Sequence, residues 1–239
     1  LGNVVAGRIS NRLNLGGSNY VTDAACASSL SALQIALHEL RSGDSDTVIT
    51  GGVDTLNDIL MFMCFSKTPA FSPSGDVRPY SASADGTMVG EGVGLLALRR
   101  LSDAERDGNR IHAVIRRLGR AADGNGPAIY APQAAGPATA PRRAYAQAGY
   151  GPETVTLVEG HGTGTIAGDR TELEGLHKVF APDNPAPEPW CAVGSVKSQI
   201  GHTKAAAGSA SLLKVIGAIS RRVLPPTIKV DAPNPAIGP

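Results

Sequence analysis

Apolar residues recur along this chain with two periods, and segments of the two kinds alternate. Helical spacing or dense apolar character predicts helices over 3–15, 27–42, 57–67, 102–108, 139–149, 169–180 and 205–222. Alternating or β-branched runs predict strands over 20–22, 47–50, 92–101, 111–118, 154–159 and 191–196. Because helices alternate with strands, the pattern predicts a sheet covered by helices, which is an α/β layered fold.

Several segments have a distinct composition. Leu30, Leu33, Leu37 and Leu40 lie on one face of the second predicted helix, whereas helix 57–67 is apolar enough to be buried. Pro, Ser, Gly and Asp dominate 68–90 and predict a long loop, and the Pro-rich stretch 181–190 predicts a surface excursion.

The strand and helix pattern starts again after residues 102–110. We therefore expect two lobes, residues 1–105 and residues 106–239. The chain begins at Leu1 without a methionine and stops at Pro239 in a Pro-rich segment, so it is expected to be part of a longer protein.

Composition narrows the functional classes. With 22 Lys and Arg against 21 Asp and Glu, the net charge is +1, which disfavours a nucleic-acid-binding surface or an acidic tail. Glycine is the outlier, at 29 of 239 residues against an average usage of about 7%. Gly and Pro together, 29 and 17 of 239 residues, fall short of the roughly 25–30% that indicates a low-complexity chain, so these glycines predict tight turns and close backbone approach.

The three cysteines, at 26, 64 and 191, are too few and too scattered for a disulfide framework. None forms a CxxC pair, so we expect no structural zinc site, and a reducing cytoplasm is the expected location. No apolar run approaches the roughly 18 residues needed to span a membrane, and no signal-peptide pattern opens the chain.

Cys26 is the first candidate for chemistry. It lies between a β-type segment and an amphipathic helix, with small residues on both sides. A helix N-terminus favours negative charge, so this position would lower the thiol pKa, and backbone N–H groups there can hold an oxyanion. A buried structural cysteine is the alternative.

His161 and His202 are the other candidates. His161 lies in a run of alternating glycines and threonines after an apolar strand, and His202 follows another strand and precedes a helix that begins with Ala and Gly. Each alone could be a surface or linker histidine. Taken with Cys26, they indicate nucleophilic catalysis in which negative charge develops on a carbonyl or enolate oxygen.

Three motifs resemble those of the β-ketoacyl synthase, or condensing-enzyme, family of fatty acid and polyketide synthases. The stretch 23–30 (DAACASSL) resembles the nucleophile motif, 161–165 (HGTGT) the first histidine motif, and 197–208 (KSQIGHTKAAAG) the second. Segments 224–227 and 233–235 resemble the loop that follows.

This resemblance implies the thiolase-like fold, two similar lobes in a five-layer αβαβα sandwich. The chain would hold the end of the first lobe, with the nucleophile, and most of the second, with both histidine motifs. It also implies a 3-oxoacyl synthase, an acyltransferase that catalyses decarboxylative Claisen condensation. The partner would be an acyl carrier protein that carries acyl and malonyl groups on 4'-phosphopantetheine, with no cofactor bound by this domain, and the full domain would be a homodimer.

The resemblance also implies individual roles. Cys26 would accept the acyl group, and His161 and His202 would assist malonyl decarboxylation and hold the enolate. Lys197 would match the motif lysine and Glu172 its buried carboxylate partner. Thr163 and Thr165 would line the pantetheine channel.

Within the family, residues 61–71 and 129–132 most resemble the condensing domain of polyunsaturated fatty acid synthases. Enediyne-type and glycolipid-type iterative synthases are alternatives. A non-catalytic, chain-length-factor-like scaffold is another, although such partners lack the nucleophile. A thiolase running the reverse cleavage would not carry the paired histidine motifs.

Overall fold

The computed structural model describes residues 1–125, 135–180 and 189–237, so the family-typical stretch 129–132 and most of the Pro-rich segment 181–190 lie outside the described residues. The α-helices are α1 Val5–Leu13, α2 Ser28–Ser42, α3 Ile59–Lys67, α4 Leu101–Arg106, α5 Ala135–Ala148, α6 Ile166–Phe180, α7 Lys197–Ile200 and α8 Ala207–Arg221. Short 3-10 turns are Gly2–Val4, Ala25–Ala27, Pro152–Thr154, Lys204–Ala206 and Pro235–Ile237.

The strands of the described residues form two pairs. Strands β1 (Thr47–Asp54) and β2 (Gly92–Arg99) are antiparallel, with Thr47 opposite Arg99 and Asp54 opposite Gly92. Strands β3 (Leu157–Glu159) and β4 (Ala192–Gly194) are parallel, with Leu157 opposite Ala192. The α/β alternation predicted from the sequence is thus present in the described part of the chain.

The chain divides into two compact units. The first comprises Leu1–Thr55, Glu91–His112 and Thr203–Leu213. Within it, α2 packs against β1, and Leu33, Ala36 and Leu40 are its buried apolar residues. The predicted face was partly wrong, since Leu30 is 40% exposed, because the buried side of the helix follows 33, 36 and 40 instead.

The second unit comprises Leu56–Gly90, Ala113–His202 and Lys214–Pro239, so far as these are described. Helices α5 and α6 pack together, and the parallel pair β3–β4 leads into the two loops that carry His161 and His202. Much of what is buried here is polar or charged, including Asp169, Ser195 and Lys197. Such groups are stable inside a protein only when hydrogen-bonded or paired.

Two predicted strands are wrong. Residues 20–22 and 111–118 adopt no regular secondary structure, and both segments lie outside the two strand pairs of the described chain. Tyr20 and Val21 are about half exposed. β-branched and alternating residues favour a strand only where a neighbouring strand supplies hydrogen bonds, and neither sheet extends to these segments.

Helix α3 forms as predicted, but it is not buried. Ile59, its first residue, is 75% exposed, and Leu60 and Met63 are also mostly exposed. The Phe65 ring instead stacks on Phe71 of the following loop and the Phe62 ring contacts Phe71 at a tilt, with ring centroids 5.6 Å apart in each case. The continuous apolar character of 57–67 therefore predicted a helix correctly, but the prediction that this helix is buried was wrong.

The segment 68–90 is irregular, as predicted, yet it is extensively hydrogen-bonded. The N–H of Ser72 donates to the carbonyl of Thr87, and Gly86 N–H donates to the carbonyl of Gly164. Val89 forms a parallel bridge with His202. This loop therefore lies beside both histidine segments of the second unit.

Among the helices of the described residues, none is both long and apolar enough to cross a membrane.

Candidate active site

The Cys26 turn belongs to the first unit. Cys26 is half-buried in the 3-10 turn Ala25–Ala27, directly before α2. Ala25 has a left-handed backbone, with φ of +50°, which L-residues rarely adopt. The Asp23 carboxylate accepts the Ala25 N–H at 2.8 Å, and the Ser28 hydroxyl donates to the Ala25 carbonyl at 2.7 Å. Short polar contacts therefore hold the cysteine at the start of a 15-residue helix.

Helix α8 begins immediately beneath α2. The Ser29 hydroxyl accepts the Ser209 N–H at 3.1 Å, and a Cβ atom at Gly208 would stand 2.6 Å from Cγ of Leu30. Only glycine allows the two helices to approach so closely. The Ala- and Gly-rich run after His202 thus packs against the helix that carries the candidate nucleophile.

His161 lies in the second unit, two residues after β3. Both oxygens of Glu172, nearly two turns into α6, accept backbone N–H groups of this loop. Oε1 accepts from His161 at 2.6 Å and Oε2 from Gly162 at 2.7 Å. Gly162 has φ of +46°, and a Cβ there would stand 2.5 Å from that of Ser195, so the loop requires glycine.

Lys197, which is only 2% exposed, holds the other side of the same residue. Its Nζ donates to the His161 carbonyl at 2.5 Å and lies 3.4 Å from Nδ1 of the ring. An ammonium group can only donate, so Nδ1 accepts and the neutral ring carries its proton on Nε2. The resemblance implied that Lys197 has Glu172 as a buried carboxylate partner. In the structure both contact the backbone of His161, and Glu172 is only partly buried.

Electrostatics keeps the His161 ring neutral. Solvent still reaches the residue, but the desolvating surroundings of the ring, and secondly the charge of Lys197, lower the pKa of His161 from 6.5 to about 4. At neutral pH the ring is thus a hydrogen-bond donor at Nε2 rather than a cation.

His202 is held by the end of the 68–90 loop. Its N–H donates to the Met88 carbonyl at 2.7 Å, and its carbonyl accepts the Gly90 N–H at 2.9 Å. Gly201 before it has φ of +72°. His202 is 3% exposed, and its ring meets that of His161 nearly at right angles, with centroids 5.3 Å apart. The structure therefore brings the two predicted histidines together.

Thr163 and Thr165 are half-buried at the entry to α6. Their hydroxyls are 2.8 Å apart, and Thr165 Oγ1 accepts the Gly168 N–H at 3.2 Å. The hydroxyls thus help to order the start of the helix, and their place in a pantetheine channel stays a prediction.

Two residues of this cluster were missed as site residues at the sequence level. Asp169, fully buried, accepts N–H groups from Gly164 at 3.0 Å and Tyr80 at 2.7 Å. Tyr80, also buried, donates its hydroxyl to Glu172 Oε2 at 2.8 Å. The sequence does contain an indication of this role: Tyr80 is a lone tyrosine in the mostly polar loop 68–90, and a buried tyrosine needs a hydrogen-bond partner for its hydroxyl.

Two sequence profiles of known domains match the chain. Residues 1–104 match the profile of the β-ketoacyl synthase N-terminal domain, and residues 112–231 match that of the β-ketoacyl synthase C-terminal domain.

Two curated relatives illustrate the likeness. The chain is 51% identical over 234 residues to a polyunsaturated fatty acid synthase protein of Thraustochytrium sp., covering 98% of this chain and 8% of that protein. It is 40% identical over 234 residues to a phenolphthiocerol/phthiocerol polyketide synthase protein of Mycobacterium bovis, covering 98% of this chain and 12% of that protein. The chain thus spans only a small part of the curated relatives it matches.

Solved structures of ketosynthases superpose closely on this chain. The ketosynthase from module 6 of the bacillaene synthase of Bacillus subtilis 168 superposes with a TM-score of 0.92 at 38% identity, covering 97% of this chain and 42% of that one. The PfaC keto synthase–chain length factor protein gives 0.90 at 35% identity, covering 95% and 24%. The predicted fold class, α/β of the thiolase-like type, is confirmed.

Proposed function

This chain belongs to the β-ketoacyl synthase family, and we propose that it is the condensing part of a synthase that extends acyl chains by decarboxylative Claisen condensation. The observation that carries the proposal is the histidine pair of the second unit, in which a neutral His161 stands against His202. A neutral imidazole can donate a hydrogen bond to an oxygen that becomes negative during the reaction, and the His202 ring lies beside it.

The first half-reaction loads the enzyme. The Cys26 thiolate attacks the carbonyl of an acyl thioester, the C–S bond to phosphopantetheine breaks, and the acyl group stays on Cys26. The phosphopantetheine sulfur leaves as a thiolate and takes a proton from solvent. The helix that begins at Ser28 favours the thiolate through its N-terminal dipole.

The second half-reaction forms the carbon–carbon bond. In a malonyl thioester the bond to the carboxylate breaks, carbon dioxide leaves, and the electron pair becomes the enolate of an acetyl thioester. Nε2–H of His161, with His202, stabilises the enolate oxygen. The enolate carbon then attacks the acyl-cysteine carbonyl, the Cys26 thiolate leaves, and a 3-oxoacyl thioester is formed.

The roles of the remaining site residues follow. Lys197 and Glu172 fix the backbone of His161, and Lys197 helps to keep the ring neutral. Thr163 and Thr165 are proposed to line the channel for the pantetheine arm. The substrates would be carried by an acyl carrier protein, so that the domain itself needs no bound cofactor.

The wider setting is proposed on the same basis. The enzyme is a 3-oxoacyl-[acyl carrier protein] synthase, with lobes divided at 105/106, that works in the cytoplasm as a homodimer. The 51% identity to a polyunsaturated fatty acid synthase protein, compared with 40% to a polyketide synthase protein, supports polyunsaturated fatty acid synthesis as the setting. Enediyne-type and glycolipid-type iterative synthases are the alternatives. Because the chain retains Cys26, the catalytic role is favoured over a chain-length-factor-like scaffold.

Replacement of the nucleophile tests the proposal. In the purified full-length protein, Cys26 should be alkylated by a thiol-directed inhibitor and should carry radiolabel from acyl-loaded carrier protein. Cys26→Gln should abolish both loading and condensation. If loading and condensation persist in this variant, the assigned mechanism is wrong.

The division of labour is tested separately. His161→Ala and His202→Ala should impair release of carbon dioxide from malonyl carrier protein more than acyl transfer to Cys26. An equal loss of the two half-reactions in either variant would contradict the roles given to the histidines.

A further inference from the structure

Tyr80 is the most buried large side chain of the 68–90 loop, at 1% exposure. Its backbone has φ of +62°, a left-handed conformation that is unfavourable for a bulky residue. Strain of this kind persists only where the surroundings determine the conformation. The two half-reactions described for Cys26 and the histidines give Tyr80 no part.

The surroundings of Tyr80 are the two carboxylates that also hold the His161 loop. The Tyr80 N–H donates to Asp169, whose other oxygen accepts the Gly164 N–H. The Tyr80 hydroxyl donates to Oε2 of Glu172, the same oxygen that accepts the Gly162 N–H. The Tyr80 carbonyl accepts the N–H of Asn234, which fixes the residue from a third side.

The phenol donates under all ordinary conditions. Burial, followed by the negative charge of Glu172, raises the pKa of Tyr80 well above its usual value of 10, so the hydroxyl stays protonated. The ring also lies against the strand end, because a Cβ at Gly160 would overlap the hydroxyl oxygen. Tyr80 therefore limits where the Glu172 carboxylate can lie.

We infer that Tyr80 is a positioning residue for His161 and acts through Glu172. The hydroxyl fixes Oε2 of Glu172, this carboxylate fixes the N–H groups of His161 and Gly162, and the imidazole is thereby aimed at the reacting oxygen. Small errors of aim are costly, because a displacement of about 1 Å in a catalytic group can lower a rate about a hundredfold. The inference rests on the proposed function, since it assigns a role within the decarboxylation step.

Tyr80→Phe removes one oxygen and keeps the ring. Because the imidazole acts in decarboxylation, release of carbon dioxide from malonyl carrier protein should fall at least about tenfold. Acyl loading of Cys26, which does not use His161, should stay within about twofold of wild type. Wild-type rates in both half-reactions, or an equal loss in both, would overturn the inference.

A double-mutant cycle tests the path through Glu172. If Tyr80 acts through this carboxylate, Tyr80→Phe added to Glu172→Gln should lower decarboxylation little beyond Glu172→Gln alone. If instead the two losses multiply, Tyr80 acts independently of Glu172 and the inference fails.

A matched control comes from the chain itself. Tyr20 donates its hydroxyl to Glu39 at 2.6 Å, a tyrosine–glutamate pair in the first unit. Tyr20→Phe should leave both half-reactions unchanged. A decarboxylation loss equal to that of Tyr80→Phe would show a general effect of removing such a pair and would overturn the inference.

A second variant serves if Tyr80→Phe folds poorly. 4-Aminophenylalanine at position 80 keeps the ring and places an N–H donor where the hydroxyl stood. Because it can still donate to Glu172, decarboxylation should stay close to the wild-type rate, and so should loading. A selective loss of decarboxylation in this variant would contradict the inference. If the wild-type protein itself releases no carbon dioxide from malonyl carrier protein, it is the proposed function that fails.

Discussion

Lys197 and Glu172 satisfy the two backbone polar groups of one residue, His161. Lys197 Nζ donates to the carbonyl at 2.5 Å, and Glu172 Oε1 accepts the N–H at 2.6 Å. In a strand or helix these groups would be paired with other backbone groups. Here oppositely charged side chains take that place, so the orientation of the histidine depends on charge.

The Lys197 contact leads to a prediction about the pKa of His161. Desolvation of the ring is the larger cause of its low pKa and the charge of Lys197 the second, so Lys197→Met should raise the pKa from about 4 while leaving it below 6.5. NMR titration of ring-labelled histidine measures it, with the resonance assigned from a His161→Gln variant. An unchanged pKa in Lys197→Met would contradict the assigned cause.

The same group predicts a pH dependence of stability. Since the pKa of His161 is about 4 folded and 6.5 in its ordinary state, the unfolded chain binds more protons between these values. The unfolding free energy that depends on the neutral ring is therefore fully present above pH 6.5 and is lost as the pH falls towards 4. Urea denaturation at several pH values should show a weaker pH dependence in His161→Gln than in wild type. Equal slopes would contradict the prediction.

The buried ion pair between Lys214 and Glu159 predicts a large loss of stability. The two atoms are 2.6 Å apart, and the Glu159 side chain is 4% exposed. Lys214→Met removes the ammonium group that contacts this buried carboxylate, which should cost about 3–5 kcal/mol of unfolding free energy. Arg170→Met, which breaks an exposed pair with Glu174, is the control and should cost less than about 1 kcal/mol. Equal losses by chemical denaturation would contradict this difference.

Two glycines of helix α8 should respond in opposite directions to alanine. At Gly208 a Cβ would stand 2.6 Å from Leu30, so Gly208→Ala should destabilise the protein by about 1–3 kcal/mol. At Gly217 the nearest atom is 3.4 Å away, at the flexible end of Arg221, so Gly217→Ala should stabilise it by up to about 1 kcal/mol. Thermal unfolding measures both, and a stabilised Gly208→Ala would show that the packing there is not tight.

Ala25, beside the candidate nucleophile, should prefer glycine. Its left-handed backbone costs an L-residue roughly 1–2 kcal/mol, part of which is offset by the greater unfolded freedom of glycine. Ala25→Gly should therefore raise the unfolding free energy by about 0.5–1 kcal/mol. Asn14 also has a left-handed backbone, with φ of +52°, but asparagine adopts this conformation at lower cost than alanine. Asn14→Gly should therefore change stability less than Ala25→Gly. A destabilised Ala25→Gly would contradict the prediction.

Most of the helices and strands could be predicted from the sequence, including β1 to β4, which form at residues that overlap the predicted strands. Helices α2, α6 and α8 follow the spacing of apolar residues, because that spacing is a local property. Strands 20–22 and 111–118 failed because pairing depends on distant segments that the local pattern does not show. The predicted burial of α3 was wrong for the same reason, because burial also depends on which distant segments cover the helix.

The candidate site was predictable where motifs are short and rich in glycine. His161 and His202 were found from their loops, and the structure brings their rings together. Tyr80 was not found, because its role depends on hydrogen bonds to Asp169 and Glu172, about 90 positions away. No periodicity within the 68–90 loop indicates such a distant partner.

The Glu159 ion pair also affects how β3 and β4 align. Glu159 stands opposite Gly194, its Oε1 accepts the Val196 N–H at 2.6 Å, and its Oε2 meets Lys214. A slip of one residue would move this carboxylate by about 3.3 Å, beyond reach of both partners. The misaligned strands would then bury a carboxylate that has lost these two contacts, which costs several kcal/mol. Although β3 and β4 are only three residues long, one acidic side chain destabilises a shifted register. A chain that pairs these strands wrongly during folding is therefore less stable than the correctly paired chain.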